Sequence, residues 1–263
     1  MGVLAVASSW DRRIRRADVL AGTSGPAAPL LTFYARVLRA QKAIYESFAE
    51  AGPSEAVEHD VRRVAASGGA LLQDVIDHGP EPLAAHARTL LGAGEPVIAR
   101  LLLEHWRTSS DRPFFAKALL QPYGEWLADA AAPPGEPSPH PENRCPRCGG
   151  PPQLSILSPA GTSGDGSSRQ LQCANCLSLW FFRRVRCPSC GEEDERQLGY
   201  FHSPAHDHVR VDACDCCRRY IKSVDLGRLG LAVPLVDEVA AAALDAWACD
   251  RGYDKIEMNL LGL

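Results

Sequence analysis

The chain has 263 residues, 46% of them hydrophobic, and a formal net charge of −4. That length and composition suffice for two domains with real cores. The acidic balance argues against a nucleic-acid partner, which selects a basic surface. The apolar run at 3–7 is too short for a secretory signal or a membrane span, and residues 10–16 behind it are densely charged. Val6 stands where a myristoylation signal needs Ser or Thr. A soluble, cytoplasmic protein without membrane insertion is therefore expected.

Residues 1–131 contain no cysteine and read as helices. Leu30, Tyr34, Val37, Leu38, Ile44, Tyr45 and Phe48 recur at helical spacing behind Pro29, predicting a helix over 30–49. A second pattern runs through Val57, Val61, Val64, Leu71, Leu72, Val75 and Ile76, with Ser54 as N-cap and Gly79-Pro80 as stop. Gly68-Gly69 weakens the continuity of that segment. Shorter patterns occupy 83–91 and 97–106. A last one covers 111–131, starting at Asp111 and kinked at Pro122. The expectation is an all-α domain of five or six helices. Residues 132–144 carry five prolines and no apolar periodicity, which predicts a semi-rigid extended linker.

Beyond the linker, short runs at 153–157, 169–172 and 179–185 read as strands, with a Gly/Ser-rich hairpin loop at 161–168. A final helix is predicted over 234–250. Its stripe is Val236, Val239, Ala240, Ala243, Leu244 and Trp247, with Gly252 as its stop.

Eight of the ten cysteines form four Cys-x-x-Cys pairs: Cys145/Cys148, Cys173/Cys176, Cys187/Cys190 and Cys214/Cys217. Two such pairs supply the four thiolates of a tetrahedral metal site. Sequential pairing gives one site of Cys145, Cys148, Cys173 and Cys176 and another of Cys187, Cys190, Cys214 and Cys217. An interleaved arrangement uses the same residues. Each module closes in about 32 residues, below the roughly 40 at which a chain usually folds unaided. A disulfide across so short a loop contributes only about 2 kcal/mol, whereas a structural zinc site contributes on the order of 10–16 kcal/mol. Two metal ions are therefore expected. Four thiolates suit zinc (Zn) and equally a single iron (Fe).

Cys216 reads as a non-ligand neighbour, and Cys249 as a small core residue. His202, His206 and His208 read as a hairpin turn rather than as ligands. In the segment 180–186, Trp180 and Phe182 are expected to fill the small core while the arginines face water. There is no phosphate loop, dinucleotide fingerprint or nucleophile elbow, and the cysteine pairs lack the βαβ context of a thioredoxin-like centre. No catalytic or cofactor-binding residues are assigned, and the chain is not expected to be an enzyme.

The cysteine frame carries further signals. Trp180 follows the second pair, Arg184-Val185-Arg186 leads into the third, and Tyr220-Ile221-Lys222 follows the fourth. Asp237-Glu238-Val239-Ala240, Leu244-Asp245, Gly252-Tyr253 and Asn259 come after. Together these resemble the formate dehydrogenase accessory protein FdhE family, with fainter similarity before residue 132. The resemblance implies an α+β chain: a helical domain (1–131), a linker (132–144), and two small rubredoxin-like, zinc-ribbon-type metal modules (145–185 and 186–263), the second ending in the C-terminal helix. It implies a non-catalytic maturation factor that binds the formate dehydrogenase catalytic subunit in the cytoplasm before export, with the eight paired cysteines as metal ligands. Cys216 departs from the family pattern. A weak homodimer is compatible with this reading. A zinc-ribbon nucleic-acid-binding protein and a rubredoxin-like electron carrier are the alternatives. A contiguous basic face of Arg183, Arg184, Arg186, Arg218 and Arg219 would favour the former.

Overall fold

A computed structural model describes residues 8–23, 25–54, 56–108, 114–132, 138–159 and 168–263. Asp111, residues 133–137 of the proline-rich segment and residues 161–167 of the expected Gly/Ser loop lie outside the described residues. The chain divides into two compact units, one ending at Leu127 and the other beginning at Ala128.

The first unit is helical: α1 (Ser9–Ala21), α2 (Ala28–Ala51), α3 (Val57–Ser67), α4 (Gly69–His78), α5 (Glu81–Ala93), α6 (Glu95–Arg107) and most of α7 (Phe114–Ala130). Helix α1 escapes an apolar-periodicity reading because it is crowded with arginine. Ser8 caps it, accepting from the Asp11 N–H at 3.1 Å. Its buried face is Trp10, Arg13 and Ala17, and Arg13 forks Glu125 of α7 at 2.8 and 2.5 Å. Helix α2 starts two residues earlier than expected, so that Pro29 lies inside its first turn, and it buries Leu31, Tyr34, Val37, Leu38, Ile44 and Phe48.

The pattern over 57–76 is two helices. The chain turns at Gly68, where a Cβ would stand 3.1 Å from a Leu119 methyl group. Ser54 is not the N-cap of α3; Ala56 occupies that position, without a side-chain cap. Instead the Ser54 N–H donates to Asp60 at 3.1 Å, and this buried carboxylate also accepts from Tyr123 Oη and Arg63, each at 3.0 Å. Asp60 thus ties the segment before α3 back onto the helix, while the first-turn N–H groups keep no side-chain cap.

The second unit is built on one sheet. Its strands are β1 (Pro152–Ser158), β2 (Ser168–Cys173), β3 (Leu179–Phe181), β4 (Leu198–His202), β5 (Val209–Cys214), β6 (Arg219–Asp225) and β7 (Asp254–Lys255). The order is β3-β2-β1-β6-β5-β4, with β7 paired to β6. The two cysteine modules therefore share a sheet: β1 and β6 run parallel, Leu154 opposite Lys222 and Ile156 opposite Val224.

Strand alternation gives this sheet two different faces. One carries Leu154, Val209, Val211, Ala213, Tyr220 and Val224, packed with Ala241, Leu244 and Ala248. The other carries Leu171, Trp180 and Ile221, clustered with Phe182, Ile256 and the first cysteine group.

The expected C-terminal helix is broken at Ala241 into α8 (Pro234–Ala240) and α9 (Ala242–Cys249). The break rotates the stripe, so that Ala243 is exposed while Leu244, Asp245 and Ala248 are buried. Beneath it lies an ionic cluster. Fully buried Lys222 donates to the Glu238 carbonyl at 2.6 Å and pairs with Asp245. Lys255 pairs with the Glu238 carboxylate and lies 3.3 Å from Asp245, which also accepts from Tyr220 Oη at 2.9 Å. Two ammonium groups thus face two carboxylates out of water, the balance that makes buried charge tolerable.

Candidate metal centres

Each Cys-x-x-Cys pair sits on a tight turn of one design. In the first, the Cys145 N–H donates to the Gly150 carbonyl at 2.9 Å and the Gly149 N–H donates back to Cys145 O at 2.9 Å. The third repeats this with Cys187, Glu192 and Gly191 at 2.8 and 3.0 Å. Closing the turn puts the residue after the second cysteine in the left-handed region. Gly149 (φ +71°) and Gly191 (φ +80°) accept this freely, and Leu177 (φ +57°) and Arg218 (φ +55°) do so at the other two pairs. Backbone amides also point at the sulfurs: Asn175 N–H to Cys173 Sγ and Ser189 N–H to Cys187 Sγ, both at 3.4 Å.

The turns converge two by two. Cys145, Cys148, Cys173 and Cys176 form one group and Cys187, Cys190, Cys214 and Cys217 another, the sulfurs within each lying within 4.8 Å of one another. Pairing is sequential, not interleaved. In the first group, Cys145–Cys176, Cys148–Cys173 and Cys148–Cys176 are separated by 3.6, 3.4 and 3.5 Å. In the second, Cys187–Cys217 and Cys190–Cys214 are separated by 3.8 and 3.7 Å. A tetrahedron with metal–sulfur bonds of about 2.3 Å has edges of about 3.8 Å, so the donor sets fit a tetrathiolate metal. All ten cysteines are free thiols. Two groups that could each hold one ion are thus present, and four sulfurs accommodate iron or zinc alike.

The charge state of the thiols supports the same fit. Hydrogen bonds from Cys145, Cys148 and Cys173 pull the Cys176 thiol far below the ordinary thiol range. The Cys145 hydrogen bond pushes Cys148 and Cys173 up. In the second group burial pushes Cys187 up to about 11 and also raises Cys214. Cys145 and Cys190 are lowered, so each bare group shares its protons unevenly, and a divalent cation would favour the fully deprotonated set.

The remaining candidates are outside the sulfur groups. Cys216 is exposed and lies near Glu192, which raises its thiol pKa through a hydrogen bond. Cys249 is exposed, not a core residue as expected, because α9 turns its Leu244–Ala248 face inward. His208 is tied to buried Asp237 at 2.8 Å, and so braces α8 against the hairpin. Trp180 and Phe182 are buried beside the first group as expected. The basic face required for nucleic acid is interrupted by carboxylates: Arg183 pairs with Glu193 at 3.2 Å, Arg186 with Glu142 at 2.5 Å, and Arg218 with Asp215 at 2.6 Å.

Several residues that build the site were missed. Residues 138–144 do not act purely as a spacer: Trp180 Nε1 donates to the Glu142 carbonyl at 2.9 Å, and the His140 ring lies against Gly149. The glycine after the second cysteine of the first and third pairs was a readable sign of the turn. Leu177 and Arg218 gave no such sign.

The family model described as FdhE, C-terminal domain matches residues 185–261. A protein FdhE homolog from Aquifex aeolicus is 32% identical over 195 residues, covering 73% of this chain and 68% of that relative. The chain belongs to the FdhE family. FdhE homologs from Pseudomonas putida and Shewanella oneidensis are 29% and 30% identical, and the matches span 47% and 38% of their lengths. The crystal structure of the FdhE protein from Pseudomonas aeruginosa has the same fold, with TM-score 0.68 at 22% identity over 97% of this chain and 96% of that one. Among the described residues of this FdhE-family chain, no helix is long and apolar enough to cross a membrane.

Proposed function

We propose that this protein is a non-catalytic maturation factor for formate dehydrogenase, which binds the catalytic subunit in the cytoplasm before export. The observation that carries the reading is membership of the FdhE family, supported over 195 residues by the Aquifex relative. In this reading Cys145, Cys148, Cys173, Cys176, Cys187, Cys190, Cys214 and Cys217 are the metal ligands. The metal's part is to fix four turns and so hold one sheet face in shape for a client. Recognition then rests on surfaces of rigid strands. The domain boundaries proposed from the sequence, 1–131, 132–144, 145–185 and 186–263, go with this reading.

The test is affinity capture of the tagged full-length protein from its native host, with metal analysis of the same sample. Recovery of a formate dehydrogenase catalytic subunit is the expected result. The C187S/C190S variant should lose both the second metal and support of formate oxidation. If that variant loses its metal yet supports full formate oxidation, metal-dependent docking is wrong.

A further inference from the structure

The centre of the sheet face opposite α8 and α9 breaks the rule that half-buried strands turn apolar side chains inward. Leu171, Trp180 and Ile221 obey it at one end. Towards the second sulfur group the same face carries Ser155, Ser223, Asp212, Arg169 and Arg210. Ser155 and Ser223 are fully buried and Arg169 is 4% exposed. The group is wired together. Arg169 Nε donates to Ser155 Oγ at 2.9 Å, Ser223 Oγ donates to Asp212 Oδ2 at 2.6 Å, and Arg210 Nε lies 2.8 Å from Asp212 Oδ1. A polar network in place of a core, held on rigid strands, marks a site selected for something besides stability.

Above this floor opens a cleft of about 440 Å³, within the size range of ligand pockets. Arg169, Arg184, Arg186, Arg210 and Arg219 line it, brought together from β2, the 182–187 strap, β5 and β6. Asp212 and Glu195 are the carboxylates in this lining, and Arg186 is in addition paired from outside it with Glu142 at 2.5 Å and with Glu193 at 3.5 Å, on a chain whose net charge is −4. Arg169 Nη2 is buried without a hydrogen-bond partner, 3.6 Å from Asp212 Oδ2. A buried N–H donor without an acceptor is costly unless something supplies one. Guanidinium forks match planar oxyanions. Asp212 in the floor penalises a dianion such as phosphate more than a monoanionic carboxylate.

The other walls suit a polypeptide. Leu198, Val185 and Ile256 contribute apolar surface. Tyr200, 64% exposed, stands on β4 at the end of the strand order, with Arg210 5.0 Å over its ring. We infer that this cleft binds an acidic segment of a partner polypeptide, its arginines forking the segment's carboxylates while Tyr200 and Leu198 receive an apolar neighbour. The inference rests on the maturation-factor reading for the identity of the partner, and on the cleft alone for its chemistry. Because Cys187 and Cys214 form part of its wall, the cleft keeps its shape only while the second sulfur group is assembled.

The test uses the full-length, zinc-loaded protein and a fluorescein-labelled heptapeptide of alternating glutamate and leucine, read by fluorescence anisotropy. The acidic peptide should bind, and its glutamine counterpart at least ten-fold more weakly. Arg184→Glu with Arg219→Glu should weaken binding at least ten-fold, whereas R12E/R15E, an equal charge change on exposed positions of α1, should leave it unchanged. Equal loss in both double variants would reduce the effect to net charge and overturn the inference. So would tighter binding of a twelve-nucleotide uridine oligomer, or displacement of the peptide by low-millimolar inorganic phosphate. Loss of zinc from R184E/R219E would also overturn it, since the arginines would then serve only to balance the thiolates. Peptide binding without capture of a formate dehydrogenase subunit would sink the maturation reading and leave the cleft standing. Full support of formate oxidation by a zinc-loaded R184E/R219E would do the reverse.

Discussion

Gly191 isolates the backbone energy of a metal-binding turn. At φ +80° it follows Cys190, and a Cβ built there would meet nothing nearer than Arg186 Nη2 at 3.6 Å. Gly191→Ala therefore carries the left-handed backbone penalty and no clash, about 1–2 kcal/mol. Metal binding and closure of the turn are one equilibrium, so this energy emerges as roughly 5–30-fold weaker metal retention at the second group. Gly149, at φ +71°, is its counterpart in the first group, but there a Cβ would stand 3.0 Å from His140 Cε1 and 3.1 Å from Nδ1. Gly149→Ala should carry the same backbone cost plus about 1–3 kcal/mol of overpacking. The H140A/G149A pair should remove the excess and return the loss to the Gly191→Ala level. The assay is equilibrium competition of zinc-loaded, reduced protein against a chromophoric chelator of known affinity. Wild-type retention in G191A would refute the reasoning, as would equal losses in G191A and G149A with His140 in place.

At the other two turns glycine should act differently. Leu177→Gly relaxes the backbone but exposes the space of a buried side chain; burial contributes about 1.5–3 kcal/mol, so a net loss of metal affinity is expected in the same competition assay. In the buried ionic cluster, Lys222→Met leaves Asp245 and Glu238 with Lys255 as their remaining ammonium partner. A loss of about 3–5 kcal/mol is expected, measured as a shift in the urea midpoint at constant zinc; an unchanged midpoint would mean the cluster contributes nothing. Stripping the metal with a chelator under reducing conditions should abolish the near-ultraviolet signal of Trp180 while the far-ultraviolet helical signal of the first unit persists. Collapse of both together would show that the units do not fold separately.

The sulfur chemistry was legible because spacing alone carries it: Cys-x-x-Cys is a short-range pattern, and a turn closes it wherever it occurs. Helix α2 was legible for a similar reason, since Pro29 in its first turn and an apolar stripe interrupted at buried Gln41 mark its start and its face. What failed depended on distance along the chain. Helix α1 buries Arg13 only because Glu125, 112 residues away, waits for it. Ser54 does not cap α3: its hydroxyl donates to the Ala56 carbonyl at 2.8 Å and its N–H to Asp60, which Tyr123 holds from 63 residues away. Nothing local to Lys222 reveals the carboxylates of Glu238 and Asp245 that take it inside. The parallel pairing of β1 with β6 is likewise a contact between segments more than sixty residues apart. No turn residue marks it.

That pairing makes the two sulfur groups one cooperative structure. A module closing in about 32 residues has too little apolar surface to stand alone, and here each borrows from the other. Strand β1 completes its pairing on β6, and Asn143 Nδ2 donates to the Ser189 carbonyl at 3.4 Å. Arg169, on β2 of the first module, crosses to the strap before the third pair, donating from Nη1 to the carbonyls of Arg184 and Arg186 at 3.3 and 3.0 Å. Those carbonyls belong to the segment that delivers Cys187. Disassembling the first group by C145S/C148S should therefore weaken metal at the intact second group by ten-fold or more. Arg169→Lys, which keeps the charge but not the fork, should weaken the second group with the first still loaded. If C145S/C148S left metal affinity at the second group at the wild-type value, the shared sheet would be a juxtaposition of two independent folding units.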